Sequence, residues 1–207
     1  MTTATTSTQT SKVADPLQLI DVDHVQFYVG NAKQAAFFYA YTFGFQIDQY
    51  TDLTTSHLPG GKRDEASFLL TQGNIRLLLT TGLRPEHPAQ QEISRYGDGV
   101  KDVALTVHDA EKAWERAIAN GAEPAYEPYD TRDEHGVVTR AGIKTYGRVL
   151  HSFVSRRGDY DLPTVKKGGL FLPSFQKMNE GLEINRFNRE RPCGVKFVDH
   201  LVGNVEE

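Results

Sequence analysis

A strand–helix–strand–strand–strand order occurs twice in this chain, and an internal repeat of this kind constrains the fold more than any other sequence feature. In the first copy, residues 22–29 have the composition of a β-strand. Asn31 follows as a favourable helix N-cap, and a helical pattern then runs to Phe43. Gly44 comes next, where a helix C-terminus favours glycine. These signals predict one strand followed by one amphipathic helix.

The second copy repeats the same signals in the same order. Residues 102–107 predict a strand, Asp109 is a suitable N-cap, and the amphipathic pattern that follows ends at Gly121. Asp23 and Asp102, which stand near the starts of the two copies, are 79 residues apart, and the two closing glycines are 77 residues apart. The two units therefore agree in length to within a loop.

Each helix is followed by three strand-like runs, and a short helix is expected to connect the copies. The runs are 45–51, 66–71 and 75–80 in the first copy and 124–129, 137–141 and 148–155 in the second, with the connecting helix at 88–96. One unit alone would expose the apolar face of a curved sheet, so we expect two units to bury these faces against each other. The predicted fold class is α+β, with tandem βαβββ units.

A third copy begins near the end of the sequence. Residues 198–205 match residues 22–29 at four of eight positions, and we interpret 197–207 as the first strand of a second, truncated domain. The paired units occupy 16–160, and 161–196 is predicted to be a linker.

Residues 1–15 contain six Thr and two Ser and almost no apolar side chains, which predicts a disordered leader. They have no apolar signal-peptide core, and one Lys without any Arg is a poor match to a transit peptide, so we expect a cytoplasmic protein. The net charge of −4 argues against a nucleic-acid partner, and no apolar run approaches the length of a membrane span. The single cysteine, Cys193, excludes an internal disulfide framework.

Histidines and carboxylates leave a nitrogen and oxygen metal site open. His24 lies on the first strand of the first copy and His151 on the last strand of the second copy. The position equivalent to His24 in the second copy is Val103, and the strand at 75–80 has no carboxylate. We therefore expect residues 16–160 to form a structural and oligomerising unit, with satisfied histidines rather than a metal centre.

Several stretches together resemble the 4-hydroxyphenylpyruvate dioxygenase family, within the vicinal oxygen chelate (glyoxalase-like) superfamily. They are 29–36, 96–100, 127–129, 133–136, 145–147, 171–173 and, most tellingly, 198–205. The resemblance implies that His200 is the first of three Fe(II) ligands, with a second histidine and a glutamate that do not occur in this sequence. Val202 and Asn204 share a strand face with His200, and we expect them to line the substrate pocket.

The resemblance implies an Fe(II) dioxygenase that acts on 4-hydroxyphenylpyruvate and dioxygen, yields homogentisate in tyrosine and phenylalanine breakdown, and assembles as a homo-oligomer. We expect this chain alone to hold no complete catalytic site and to be inactive. One alternative is 4-hydroxymandelate synthase, which uses the same substrate. Another is a non-catalytic small-ligand-binding module of the same superfamily. In that module Tyr28, Phe38, Tyr39 and Trp114 would compete for a pocket wall, although we favour a core role for all four.

Overall fold

The computed structural model describes residues 15–179 and 181–204. The predicted leader lies outside them except for Asp15, and so do residues 205–207. Five helices are present: α1 Ala32–Phe43, α2 Pro88–Tyr96, α3 Ala110–Ala119, α4 Leu162–Lys166 and α5 Glu183–Glu190. The predicted connecting helix is confirmed as α2. No helix within the described ranges is long and apolar enough to cross a membrane.

All nine strands belong to one sheet, with the order β6-β7-β8-β5-β1-β4-β3-β2-β9. Their bounds are β1 Leu19–Tyr28, β2 Gln46–Thr51, β3 Glu65–Gln72, β4 Ile75–Gly82, β5 Gly99–Val107, β6 Pro124–Asp133, β7 Gly136–Lys144, β8 Leu150–Gly158 and β9 Gln176–Lys177. Each repeat forms four of them in an equivalent order, which confirms the predicted pair of βαβββ units.

The two units join through their first strands, because β1 and β5 pair antiparallel at the centre of the sheet. Within each unit the first strand also pairs parallel with the last, β1 with β4 and β5 with β8. The units therefore share one continuous sheet and meet at an edge. This arrangement differs from the expectation that their apolar faces cover each other, because the hydrogen-bonding groups of β1 and β5 also need partners.

Both repeat helices pack on the same face of this sheet through small side chains. Ala32, Ala36 and Ala40 of α1 are buried against the first unit, and alanines at the equivalent positions of α3 are buried against the second. Trp114 packs in the second of these clusters and donates its indole N–H to the carbonyl oxygen of Gly142 (3.1 Å), so its predicted core role is confirmed. Phe38 does not follow the prediction, because it is 57% exposed.

The opposite face of the sheet, here called the inner face, is covered by residues 160–175. Tyr160, Phe171 and Phe175 from this segment are buried against strand side chains that include Leu78 and Val154. The first part of the predicted linker is therefore a layer of the core. The inner face is apolar at these positions, and in this structure the chain itself removes that surface from water.

Two buried asparagine side chains of helix α5 form hydrogen bonds with the backbone of the first unit. Asn185 accepts a hydrogen bond from the backbone N–H of Ile47 and donates one to the carbonyl oxygen of the same residue, both at 2.8 Å. Asn188 donates to the carbonyl oxygens of Ala40 and Phe45. These contacts satisfy backbone groups of Phe45 and Ile47 at the outer edge of the first unit, and they add a second donor to the Ala40 carbonyl, which also accepts from the N–H of Gly44.

We expect Asn185→Ala to lower the free energy of unfolding by about 1–3 kcal/mol, because it leaves buried backbone groups of Ile47 without a partner. Denaturant unfolding followed by circular dichroism measures the difference. Arg186→Ala, at the neighbouring exposed position of α5, is the matched control and is expected to change stability by less than about 0.5 kcal/mol. Equal stability of the two variants would contradict the proposed role of the amide.

Residues 198–204 do not form the strand that the sequence predicts. They follow an irregular path, and their backbone makes no strand pairing with the described part of the chain. A strand exists only when a neighbouring strand takes up its hydrogen-bonding groups, which explains the irregular backbone. The sequence match to residues 22–29 is thus not accompanied by the same local structure in this chain.

Candidate functional site

A cavity of about 230 Å³ lies on the inner face, between the two units. The alternation of strand side chains accounts for its lining, because His24, Gln26 and Tyr28 of β1 all point to the same side. Strands β3, β5, β6, β7 and β8 add further side chains, and residues 172–175 close part of the space. Most of the lining side chains are polar or ionisable, which is unusual for an interior because burying polar groups is costly.

His24 takes part in a buried ion-pair cluster beside this cavity. Its Nδ1 donates to Asp23 Oδ1 (2.8 Å), and Arg156 binds both carboxylate oxygens of Asp23 at 2.9 Å. Asp23 is the extra residue of a β-bulge, since Val22 pairs with Leu105 while His24 pairs with Ala104. The bulge is therefore the backbone feature that allows two successive polar residues of β1 to enter one cluster.

The surroundings of Asp23 favour its charged form. Burial alone would raise the pKa of this carboxyl, but the charge of Arg156 and hydrogen bonds from His24 and Arg156 outweigh burial and hold the pKa well below its usual range. The His24 ring also meets the Phe171 ring edge-on, with 5.1 Å between centroids. His24 is thus a satisfied histidine within the core, as predicted.

Asp102 is the residue of the second repeat that corresponds to Asp23 in the first, but it has different hydrogen-bond partners. It accepts hydrogen bonds from the backbone N–H of Ser152 (3.0 Å) and from the Ser152 hydroxyl, which is also hydrogen-bonded to the hydroxyl of Tyr126. Burial raises the pKa of Asp102 from its ordinary value. Burial likewise raises the pKa of Tyr126 and brings that of Tyr28 to about 12. Burial therefore disfavours the charged form of each of these three groups.

Gly142 positions Tyr126 in this chain of hydrogen bonds. A Cβ atom at residue 142 would lie 2.3 Å from the Tyr126 ring, closer than any real contact. The absence of a side chain lets the ring cross over β7 and reach Ser152.

Arg140 contributes a guanidinium group to the same cavity. Its Cζ lies 5.1 Å from the ring centroid of Tyr129, which is its register partner on β6. Its Nε is sealed from solvent and has no hydrogen-bond partner among the residues that the structure describes. The sequence analysis did not single out Arg140. The available signal was a charge inside the strand-like run 137–141, two residues from Val138 and therefore on the face that Val138 buries.

We expect Asp102→Asn to become more stable, relative to the unchanged chain, as the pH rises above about 4. The raised pKa means that the folded state holds the Asp102 proton more tightly than the unfolded state. The stabilisation by this proton is complete below the unfolded pKa and is lost as the pH rises through the folded pKa. Denaturant unfolding between about pH 4 and pH 7 measures the trend. Exposed Glu115→Gln is the control, and equal pH trends in both variants would contradict this account.

The residues that the sequence analysis proposed for iron and substrate lie elsewhere. The His200 side chain is 75% exposed, and its Nδ1 donates to Asp199 (2.8 Å). Val202 and Asn204 line a surface groove together with Tyr146 and Arg148, and His200 does not contribute to it. Within residues 15–179 and 181–204, no three His, Cys, Asp or Glu side chains are grouped as a metal site requires.

The remaining candidates for a pocket wall are separated from one another. His151 donates from Nδ1 to the carbonyl oxygen of Val103 (3.0 Å) and lies outside the cavity lining. Tyr28 lines the cavity, whereas Phe38 and Tyr39 border a shallow depression beside α1. Trp114 belongs to the helix-side core. Of the four aromatic residues considered for a ligand pocket, only Tyr28 lines the inner-face cavity.

Curated proteins similar to this chain share one name. A 4-hydroxyphenylpyruvate dioxygenase from Tetrahymena thermophila is 37% identical over 90% of this chain and 44% of its own length. Proteins of the same name from Dictyostelium discoideum and Coccidioides posadasii are 37% and 34% identical over 88% and 96% of the chain. The chain spans about half the length of these relatives, between 44% and 49%.

Solved structures support the fold. A mutant 4-hydroxymandelate synthase from Streptomyces coelicolor superposes with a TM-score of 0.64 over 80% of this chain and 44% of its own, at 21% identity. Methylmalonyl-CoA epimerase from Mycobacterium tuberculosis superposes with a TM-score of 0.53 over 69% of this chain and 92% of its own, at 18% identity. The family model for the Glyoxalase/Bleomycin resistance protein/Dioxygenase superfamily matches residues 21–149, which hold both repeats up to the start of β8. The chain belongs to the Glyoxalase/Bleomycin resistance protein/Dioxygenase superfamily.

Proposed function

We propose that this chain forms the N-terminal part of a 4-hydroxyphenylpyruvate dioxygenase, an enzyme that converts 4-hydroxyphenylpyruvate and dioxygen into homogentisate and CO₂ in tyrosine and phenylalanine breakdown. The observation that carries the proposal is the match to proteins of that name over about nine-tenths of the chain at 34–37% identity. The match covers 44–49% of those relatives, so the proposal concerns a part of such an enzyme.

The proposed cofactor is Fe(II), which when bound supplies the chemistry that activates dioxygen. We propose His200 as its first protein ligand, with Val202 and Asn204 near the substrate. The described residues offer His200 no second and third ligand, so they do not complete an iron site and no reaction step is assigned to them. The exposed imidazole of His200 is accessible to a metal ion.

For residues 16–160 we propose a structural and oligomerising role in a cytoplasmic homo-oligomer. Because the predicted linker 161–196 contributes a core layer up to residue 175, we propose residues 176–196 as the connection to the catalytic part. We further propose that 197–207 becomes the first strand of that part once a neighbouring strand pairs with it. The buried cluster of Asp23, His24 and Arg156 supports the structural role, because all three polar side chains have partners within the fold.

Two other functions are kept as alternatives. One is 4-hydroxymandelate synthase, which acts on the same substrate and oxidises its benzylic carbon; the superposition at a TM-score of 0.64 and 21% identity shows a shared fold. The polar cavity on the inner face fits a small-ligand-binding module. Product analysis separates the first alternative from the dioxygenase, and binding measurements without metal test the second.

The proposed function is tested with the protein encoded by the native gene, loaded with Fe(II) and supplied with 4-hydroxyphenylpyruvate in air. We expect homogentisate as the product, and we expect His200→Ala to lose bound iron and to lower turnover at least about a hundredfold. Exposed His108→Ala is the matched control, because it removes a histidine at the surface before α3, and it is expected to keep both iron and turnover. Unchanged iron content in His200→Ala would show that His200 is no ligand.

A further inference from the structure

Arg140 lacks the partner that a guanidinium inside a protein needs. Its Nε is buried without a hydrogen bond, and no carboxylate of residues 15–179 or 181–204 lies within 4.0 Å of its nitrogens. The Tyr129 ring, at 5.1 Å, is the one charge-stabilising contact that the described residues provide. Burying the Nε of an arginine without an acceptor is costly, so its presence on a cavity wall indicates a role other than stability.

The two lysines that line the cavity already have carboxylate partners. Lys62 binds Glu65 through Nζ at 2.9 Å, and Lys101 binds Glu92 at the same distance. Asp102, the remaining acid in the lining, has both carboxylate oxygens engaged by Ser152. Among the cationic side chains of the described lining, Arg140 is therefore the one without a carboxylate partner, and the complementary ligand group is a single anion. A carboxylate fits best, because its two oxygens match the planar fork of a guanidinium.

The apolar part of the lining indicates the chemical nature of the rest of the ligand. Four apolar side chains line it, namely Leu78, Leu150, Leu172 and Phe175, and the Tyr129 ring lies beside Arg140. An apolar cavity of about 150 Å³ accepts benzene. The volume here is about 230 Å³, which leaves room beyond one six-membered ring for a short arm that ends in a carboxylate.

We propose that the inner-face cavity binds a small aromatic monocarboxylate, with its carboxylate on Arg140 and its ring against the apolar wall. Gln26 also lines the cavity, and its Nε2 donates to Thr80 (2.9 Å). Its amide oxygen accepts no hydrogen bond from the described residues and can accept one from a ligand hydroxyl. The site needs no metal and shares no residue with the proposed iron ligand. It is independent of the proposed dioxygenase activity.

The test is isothermal titration of the 207-residue chain with 3-phenylpropionate in the presence of EDTA, so that no metal centre contributes. We expect saturable binding at one site. The neutral amide 3-phenylpropanamide keeps the ring and removes the charge, and it is expected to bind about tenfold to a hundredfold more weakly. Propionate keeps the charge without the ring and is also expected to bind weakly.

Arg140→Met is expected to weaken 3-phenylpropionate binding about tenfold to a hundredfold. Its thermal midpoint without ligand is expected to equal or exceed that of the unchanged chain, because methionine replaces an unpaired charge. Arg157→Met removes an exposed arginine from β8 and is expected to leave binding unchanged. Arg140→Lys is a second variant, which keeps the positive charge but lacks the planar fork of the guanidinium. Its affinity for 3-phenylpropionate is expected to lie between those of the unchanged chain and Arg140→Met.

Three results would overturn the proposal. They are the absence of saturable 3-phenylpropionate binding at millimolar concentration, equal binding of the acid and the amide, and unchanged binding in both Arg140 variants. The titration contains no iron and measures no turnover. The absence of 3-phenylpropionate binding would therefore not count against the proposed dioxygenase activity, and the absence of that activity would not count against the binding site.

Discussion

Arg156→Ala is expected to lower the free energy of unfolding by about 3–5 kcal/mol, the range for removing one partner of a buried ion pair. The side chains of Arg156 and Asp23 are 2% and 0% exposed, and the guanidinium binds both oxygens of the carboxylate. Arg156 also donates to the carbonyl oxygen of Phe171 and so connects β8 to the segment that covers the inner face. Its removal takes the charged guanidinium contact from the buried carboxylate, which keeps the donors of His24 and Thr106, and takes this donor from the Phe171 carbonyl.

Urea unfolding followed by circular dichroism measures this loss. Arg157→Ala, one residue along the same strand but exposed, is the matched control and is expected to change stability by less than about 0.5 kcal/mol. The double variant Asp23→Leu with Arg156→Met is expected to recover part of the loss, because neither charge then remains buried alone. A single Arg156→Ala variant as stable as the control would show that the pair does not hold the sheet and the covering segment together.

Phe171→Ala is expected to destabilise the chain by about 3–5 kcal/mol, since truncating a buried phenylalanine opens a large cavity. The side chain is 0% exposed and contacts the His24 ring at 5.1 Å and the Phe175 ring at 5.4 Å between centroids. The guanidinium of Arg156 lies over its face at 4.7 Å. Phe171 thus joins the covering segment to the buried ion-pair cluster.

The control for this variant is Phe187→Ala, which truncates a half-exposed phenylalanine on α5. We expect it to cost much less, and thermal unfolding of both variants gives the comparison. If residues 161–175 were a loose connection, as the sequence suggests, the two substitutions would have similar small effects. A large and selective loss for Phe171→Ala would instead establish this segment as part of the folded domain.

The repeat could be predicted from the sequence because its signals are local. Asn31 and Asp109 accept hydrogen bonds from the third residue beyond them, as an N-cap does, and Gly44 has the left-handed φ of 76°. Strand ends were less predictable, and β6 extends to Asp133 rather than stopping near residue 129. A strand continues as long as a neighbour pairs with it, and pairing partners distant in sequence leave no local signal.

The positions of the segment 160–175 and of the cavity could not be predicted either, because they also depend on contacts between residues distant in sequence. A sequence around Lys166-Lys167-Gly168-Gly169 has no periodic pattern, so it is typical of a connection, yet Phe171 and Phe175 fill a hollow that exists only once the sheet has formed. His24 could be recognised as a satisfied histidine, because no carboxylate occupied a repeat-equivalent position on a neighbouring strand. Its pairing with Asp23 depends on a bulge, and bulges need tertiary structure to be located.

The central claim is that this chain is part of a dioxygenase that acts on 4-hydroxyphenylpyruvate. The most direct test supplies the protein encoded by the native gene with Fe(II), 4-hydroxyphenylpyruvate and ¹⁸O₂, and identifies the product by mass spectrometry. The account predicts homogentisate that contains both atoms of the labelled dioxygen, with release of CO₂. Labelled 4-hydroxymandelate, or an unchanged substrate after iron loading, would contradict it.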